Sequence, residues 1–390
     1  MCDYILSKIH PDDRRMNEQI NQLLLREQIQ KDKHIDVTYA LLDDCLNPVA
    51  TASRFGNTLR SIAVDRRVQG QGLLNTLLTA LIEDAFLAGF QHLFLYTKPE
   101  AAHFFADLGF YALAEVPGTL VFMENQKHGF SDYLKALQKE TDEARSQLGE
   151  KRFADQGKPT KFKGTAPNAV GSALPAAGHD GDSAIVMNAN PFTLGHRFLV
   201  ETAASSAPLL HLFVLSEDKS LFPFQLRMQF VRACCADIPN LCIHASGPYI
   251  ISGATFPSYF LRDEETAITS HAKLDLAIFQ KIAVALSIQT RFAGEEPTSF
   301  VTGLYNQMMR QQLPKAGIRF VELPRRKTKE GAVISASFVR AYLQKNDFSV
   351  SSDCSALAEQ LPAEVLSYLQ SPDAASVLAA IRASSEVVHY

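Results

Sequence analysis

Two short segments, far apart in the chain, carry residue types suited to handling an anionic group. The first is Asn188-Ala189-Asn190-Pro191-Phe192-Thr193-Leu194-Gly195-His196-Arg197, lying between an apolar run, AIVMNA, and a stretch with helical periodicity. A strand that gives way to a helix is a natural anion site, because the helix start offers unpartnered amide N–H groups and the positive end of its dipole. Gly195 removes a side chain so that a phosphate can approach the backbone. Thr193 and His196, three apart, share one face of the opening turn, from which an imidazole can donate a hydrogen bond to a phosphoryl oxygen. The second segment, Ile334-Ser335-Ala336-Ser337-Phe338-Val339-Arg340, is again a helix start. Ser335 and Ser337 are its capping or phosphate-binding hydroxyls, and Arg340, one turn on, is a cation.

Other candidates are weaker. In EDKSLFPFQLRMQF, Lys219 and Arg227 follow a second apolar strand and are candidates to reach a phosphate, with Asp218 a candidate metal contact. Gly294, Glu295, Glu296 and Pro297 follow another strand end, whereas Glu201 reads as a helix-surface charge. Ser252, Gly253 and Thr255 fall in an aromatic-rich segment, YIISGATFPSYF, that reads as a buried hydrophobic loop. Near the N-terminus, Arg67-Val68-Gln69-Gly70-Gln71-Gly72 places glycines so that consecutive amides can face a diphosphate just ahead of a helix. The six cysteines show no C-x-x-C spacing, so no metal ligands are assigned and the thiols are expected to be free and mostly buried.

These segments need elements to hold them. Helical periodicity in MNEQINQLLLREQIQ is followed by strand-like runs DVTYALLD, PVATASRF and NTLRSIAV, a helix LLNTLLTALIEDAFLAG, a strand HLFLYT, a helix EAAHFFADLG and a strand GTLVFMEN. That is an α+β pattern of antiparallel strands interrupted by helices. From AIVMNA onward, strands LLHLFVLS, NLCIHA, TRFAG and RFVELP alternate with helical stretches, which implies βαβ crossovers, a parallel sheet and ligands at the carboxyl ends of its strands. We expect one domain over 1–130, a helix and flexible linker over 131–182 where the sequence turns rich in Gly, Pro, Ala and Lys, a second domain over 183–350 and a helical extension over 351–390.

A chain of 390 residues, 46% hydrophobic and 21% charged, has apolar surface for two ordinary cores. A net charge of -4 gives no overall attraction to nucleic acid or anionic lipid, so any anion must be bound locally. With no run long enough to span a bilayer and no signal-peptide layout, the expected location is the cytoplasm.

Thr193-x-Gly195-His196 after a strand resembles the (H/T)-x-G-H signature of the nucleotidyltransferase superfamily, and Ile334 to Arg340 resembles its I-S-S-T-x-I-R signature. That resemblance implies a Rossmann-like domain. It also implies an ATP site built from Asn188, Asn190, Pro191, Phe192, Gly195, Lys219, Arg227, Gly294, Glu295, Ser335 and Ser337, with His196, Thr193 and Arg340 as catalytic residues and Mg2+ on the phosphates. The loop from Arg67 to Gly72 resembles the acyl-CoA pyrophosphate loop of GCN5-related acetyltransferases. There Phe105-Ala106-Asp107-Leu108-Gly109-Phe110 has phenylalanine where that family carries a tyrosine acid, which leaves Tyr96 and Tyr111 as alternatives. An acetyltransferase-like domain joined to a T-x-G-H domain, with the segments MNANPFTLGHRFLVE, SEDKSLFPFQLR and VTGLYNQMM, is similar to the citrate lyase ligases. Membership would imply activation of acetate with ATP and acetylation of the prosthetic-group thiol on the citrate lyase acyl carrier subunit, releasing AMP. Two readings stay open beside it: an adenylyltransferase acting on another small acceptor such as phosphopantetheine, and an acetyl-CoA-dependent acetyltransferase with a nucleotide-sensing domain.

Overall fold

A computed structural model describes residues 4–32, 34–155, 181–216, 220–250, 264–296, 299–346, 348 and 355–384, with backbone alone at 151–155 and 264–265. The expected linker lies largely outside the described residues, as do Asp218, Lys219, Ser252, Gly253, Thr255 and Pro297. The chain forms two compact units, Met1–Asp132 with Thr255–Ile278, and Tyr133–Ala254 with Phe279–Tyr390.

The first unit runs β1 (Ile5–Ile9), α1 (Arg14–Arg26), β2 (Val37–Leu42), β3 (Pro48–Phe55), β4 (Thr58–Val64), α2 (Leu73–Leu87), β5 (Phe94–Thr97), α3 (Ala102–Asp107), β6 (Tyr111–Val116) and β7 (Leu120–Glu124). Its sheet has the order β1-β2-β3-β4-β5-β7-β6. All pairings are antiparallel except β4 with β5, which pair in parallel over only Thr58↔Phe94 and Leu59↔Leu95. The two strands part beyond that point, so the sheet opens toward the ends that lead into Arg67–Gly72 and into α3. Helix α2 covers the sheet because Leu73, Leu77, Leu81 and Ala85 recur on one face and are buried among Leu59, Leu95 and Phe105. Strands β1 and β6 were not expected. They are the two edges of the sheet, half-exposed, and so lack the apolar alternation that marks a central strand.

Helix α4 (Gly129–Asp155) leads into the second unit. In chain order β8 (Asp182–Met187), α5 (Leu194–Ser205), β9 (Leu210–Val214), α6 (Phe224–Cys234), β10 (Leu241–Ala245), α7 (Glu264–Leu286), β11 (Ile288–Gly294), α8 (Phe300–Gln312), β12 (Arg319–Leu323) and α9 (Ala336–Lys345) are followed by three short helices, α10 (Ser355–Ala358), α11 (Ala363–Leu369) and α12 (Ala375–Ala383); all belong to the second unit except α7 up to Ile278, which is assigned to the first. The sheet is wholly parallel with order β10-β9-β8-β11-β12. The order reverses between β8 and β11, and in doubly wound sheets the crevice at that switch point takes the ligand. The helical extension packs into the same core: Leu357, Val365, Leu369 and Ile381 are buried with Phe192, Val200 and Val339.

Candidate active site

The two signatures meet at the switch point. Strand β8 ends at Met187 and delivers Asn188 to the crevice, while β11 delivers Gly294 and Glu295 from the other side. Gly195, in the first turn of α5, lies so close to the residue before the Ser335 N-cap of α9 that a Cβ on it would stand 3.3 Å from the Ile334 carbonyl oxygen. Gln360 of the helical extension ties both starts: its carbonyl accepts the Leu194 N–H at 2.9 Å and its Oε1 accepts the Ser335 N–H at 3.0 Å. Gln360 is 3% exposed. Nothing in sequence spacing pointed to it.

Thr193 is the N-cap of α5, with its Oγ1 accepting the His196 N–H at 3.3 Å. His196 answers in a reciprocal capping box, its Nδ1 accepting the Thr193 N–H at 3.0 Å. An acceptor at Nδ1 carries no proton, so the neutral ring holds its proton on Nε2 as a donor. The ring does stay neutral. Desolvation, then the positive charges of Arg325 and Arg340, lower its pKa to about 4. By surface area His196 is only half-buried, but the close packing around its ring, including Phe192 at 5.6 Å between centroids, removes enough water to account for the shift.

Several expected ligand contacts prove to be braces. Arg227 is fully buried; its guanidinium donates to the carbonyls of Phe222, Asn188 and Leu215 and to Asn188 Oδ1, at 2.8–2.9 Å. This corrects its reading as a phosphate contact: the cation is spent fixing the loop after β8. Arg340, 2% exposed, donates to the Asn190 carbonyl, and burial pulls its pKa down to about 10. It underlies the rim rather than lining it as an open cation. Thr193, 1% exposed, has its hydroxyl engaged in the cap and so positions the start of α5. Pro191 and Phe192 are buried packing residues, and Phe192 belongs to the core.

What remains for a ligand is coherent. Ser335 caps α9 by accepting the Phe338 N–H at 3.1 Å, and Ser337 Oγ stands 3.2 Å from Ser335 Oγ. Asn190 accepts the Phe222 N–H through Oδ1, while its buried Nδ2 has no hydrogen-bond partner among the described residues. An unmatched buried donor costs about 1–3 kcal/mol, a cost that a ligand oxygen would relieve. Ala189 holds φ at 54°, a left-handed backbone rare for alanine and common where a loop is shaped for binding. The sequence reading also missed the basic loop Arg325-Arg326-Lys327 that precedes α9. There Arg325 pairs with Glu296 and donates to the Glu295 carbonyl at 2.7 Å. Its signal was visible as PRRKTKEG, a charge cluster abutting the second signature.

In the first unit, Gly70 and Gly72 have φ of 79° and 76°, the left-handed values that glycine adopts freely, and Gly72 stands immediately before α2. Arg67 pairs with Asp65 at 2.6 Å, which holds that carboxyl at about 2. Gln69 Nε2 donates to the Val64 carbonyl at 3.1 Å and Gln71 Oε1 accepts from Tyr4 Oη at 3.1 Å, so the loop is braced on both sides of Gly70. Phe105 is buried and carries no hydroxyl, Tyr96 is buried and stacked on Phe122, and Tyr111 is exposed.

Among the described residues no helix is long and apolar enough to cross a membrane. Residues 9–110 match the acetyltransferase (GNAT) family, and residues 182–369 match the family described as citrate lyase ligase C-terminal domain. The chain is 36% identical over 372 residues to the citrate (pro-3S)-lyase ligase of Escherichia coli strain K12, covering 94% of each. To the protein of the same name from Haemophilus influenzae it is 34% identical over 357 residues, covering 90% of this chain and 94% of that one. To that of Klebsiella pneumoniae it is 36% identical over 319 residues, covering 80% and 81%. With both domains matched and relatives spanning nearly the full length, the chain belongs to the citrate lyase ligase family.

Proposed function

We propose that this chain activates acetate with ATP and passes the acetyl group to the prosthetic-group thiol of the citrate lyase acyl carrier subunit. In the first step the acetate oxygen bonds to the α-phosphorus and the bond to the bridging oxygen breaks, giving acetyl-adenylate and pyrophosphate. In the second the thiolate attacks the acyl carbon and AMP leaves. Neither step needs a protein nucleophile, so the protein contributes positioning and stabilisation of charge on phosphoryl oxygens.

The observation that carries this reading is the meeting of two helix starts at the switch point, with a neutral His196 whose Nε2–H is free of its capping role. Ser335, Ser337 and the Asn190 amide suit the pyrophosphate, while Gly294 and Glu295 suit the adenosine side. The rim is rich in donors and cations, and its carboxylate Glu296 is paired with Arg325. That donor set fits magnesium arriving on ATP, held by phosphate oxygens and water, rather than in a protein cage. In the first unit, the loop from Arg67 to Gly72 suits the phosphate end of a pantetheine arm, and the absence of a hydroxyl on Phe105 argues for gripping that arm without acetyl transfer from acetyl-CoA. The buried thiols fit a reducing cytoplasm.

The test is exchange of labelled pyrophosphate into ATP with acetate, propionate and citrate in parallel. Exchange that requires acetate is expected. Exchange without any acid, or none with all three, overturns the proposal.

A further inference from the structure

Away from the nucleotide crevice, at the opposite end of β8, four elements of the second unit converge on a chain of titratable groups that is buried except at Glu140. Asp182 opens β8, His211 is on β9, Cys242 and His244 are on β10, and Glu140 comes from α4. Cys242 pairs in register with His211, and His244 lies two residues farther along, so all three side chains project from the same face of the sheet. His211 and His244 are 0% exposed and Cys242 is 5% exposed.

The hydrogen bonds assign the protons. His211 Nε2 lies 3.3 Å from Asp182 Oδ2, and His244 Nδ1 lies 2.6 Å from Glu140 Oε2. Each outer nitrogen faces a carboxylate that accepts only, so each carries its ring's proton. The inner nitrogens, His211 Nδ1 and His244 Nε2, are then two lone pairs pointed at each other 3.0 Å apart. One cation, a shared proton or a metal ion, resolves that opposition. The Cys242 Sγ completes a set whose ligand atoms all lie within 4.8 Å of one another.

We infer that His211, Cys242 and His244 form a zinc-type metal site that fastens helix α4 to the sheet. Two imidazoles and a thiolate are the donors that tetrahedral zinc prefers. With Zn–N bonds of about 2.05 Å and a Zn–S bond of about 2.3 Å, tetrahedral geometry sets the nitrogens about 3.3 Å apart and each about 3.6 Å from the sulfur, so loading swings the rings out of their head-on contact and draws the thiol in. The outer carboxylates do what such groups do around bound metals, fixing the tautomer and raising the basicity of each imidazole. The fourth position falls to water. Helix α4 is already anchored beside the site by Arg145 on Asp182 and by Tyr133 Oη on the Ser246 carbonyl. A metal held by strands β9 and β10, with its histidines bonded to Glu140 and Asp182, links those anchors into one clamp.

The test uses the full chain with exposed Cys45 replaced by serine, stripped with a strong chelator and then titrated with Zn2+ against a chromogenic competitor and with Co2+ as a spectroscopic probe. One equivalent is expected, with a cobalt–thiolate charge-transfer band and a higher melting temperature on loading. Cys242→Ser should abolish the band and weaken zinc binding at least tenfold. Glu140→Gln, on the half-exposed helix face, should fold normally and weaken it by about 10- to 100-fold. No stoichiometric uptake by the parent chain, or a band that survives Cys242→Ser, overturns the inference and leaves a shared proton as the cation between the two rings.

Discussion

Replacing His196 by alanine does two separable things, and the structure predicts the size of each. The variant loses the Nε2–H that the proposed function assigns to developing phosphoryl charge, a donor worth about 10²–10³ in rate, or about 2.7–4 kcal/mol, in preorganised sites. It also loses half of the capping box, since the Thr193 N–H no longer has Nδ1 to bond at 3.0 Å. That second loss costs about 1–2 kcal/mol of stability and could by itself blur the helix start. Thr193→Ala isolates it: the hydroxyl cap is removed at a similar stability cost, while the Thr193 N–H still holds the His196 ring as an Nε2–H donor.

The assay is acetate-dependent pyrophosphate exchange at saturating ATP, with urea unfolding as the stability measurement. We expect both variants to be destabilised by similar amounts, Thr193→Ala to keep its rate within about tenfold, and His196→Ala to lose at least a hundredfold. The wild-type rate should also show no limb near pH 6.5, because a ring whose folded pKa lies near 4 is uncharged throughout the neutral range. A His196→Ala rate no lower than that of Thr193→Ala would refute the donor role and leave the histidine as a cap.

Further outcomes follow from the same geometry. Gly195→Ala should gain about 1 kcal/mol of helix propensity and lose a similar amount to the Ile334 carbonyl at 3.3 Å, leaving the melting temperature near its original value while the KM for ATP rises severalfold. Arg340→Lys should cost about 2–4 kcal/mol in urea unfolding, since a buried ammonium cannot replace the planar donor on the Asn190 carbonyl. Asp65 has its pKa depressed from 3.8 to about 2, so its contribution is complete above about pH 4 and disappears as pH falls toward 2. With Arg67 78% exposed that contribution shrinks to about 1 kcal/mol, and Asp65→Asn should remove it at pH 7 and flatten the stability slope between pH 4 and 2.

Much of the site was readable because its signals are local. A strand, a four-residue turn with Gly195 and His196, and a serine-led helix start are short-range features, and each appears where spacing placed it. The parallel sheet followed from alternation of strand and helix. What stayed hidden depends on burial and on pairing across the sequence. Arg227 and Arg340 look like surface cations in a string of letters, and only the packed core reveals that their acceptors are backbone carbonyls 39 and 150 residues away. His211, Cys242 and His244 lack any metal-ligand spacing because the register of β9 on β10, rather than sequence proximity, brings them together. Gln360 acts through its own backbone carbonyl as well as its side chain, and a main-chain acceptor leaves no trace in residue type.

The buried arginines suggest how this site reconciles rigidity with anion affinity. A loop whose amides must face a phosphate has to turn its carbonyls the other way, and carbonyls pointed into a core need donors. Arg227 answers three such carbonyls and Arg340 the one on Asn190, so the loop is fixed from behind before any nucleotide arrives. The same charges persist in a weakly screened interior, where Arg340, with Arg325, lowers the pKa of His196. A phosphate at the rim would feel that field with the opposite sign, as attraction. The cations thus need not touch the nucleotide to favour it, and their suppression of the imidazolium keeps His196 a neutral donor with its lone pair committed to the helix cap. Preorganisation of this kind places the field and the hydrogen bonds in advance, so little rearrangement is left for the moment of reaction.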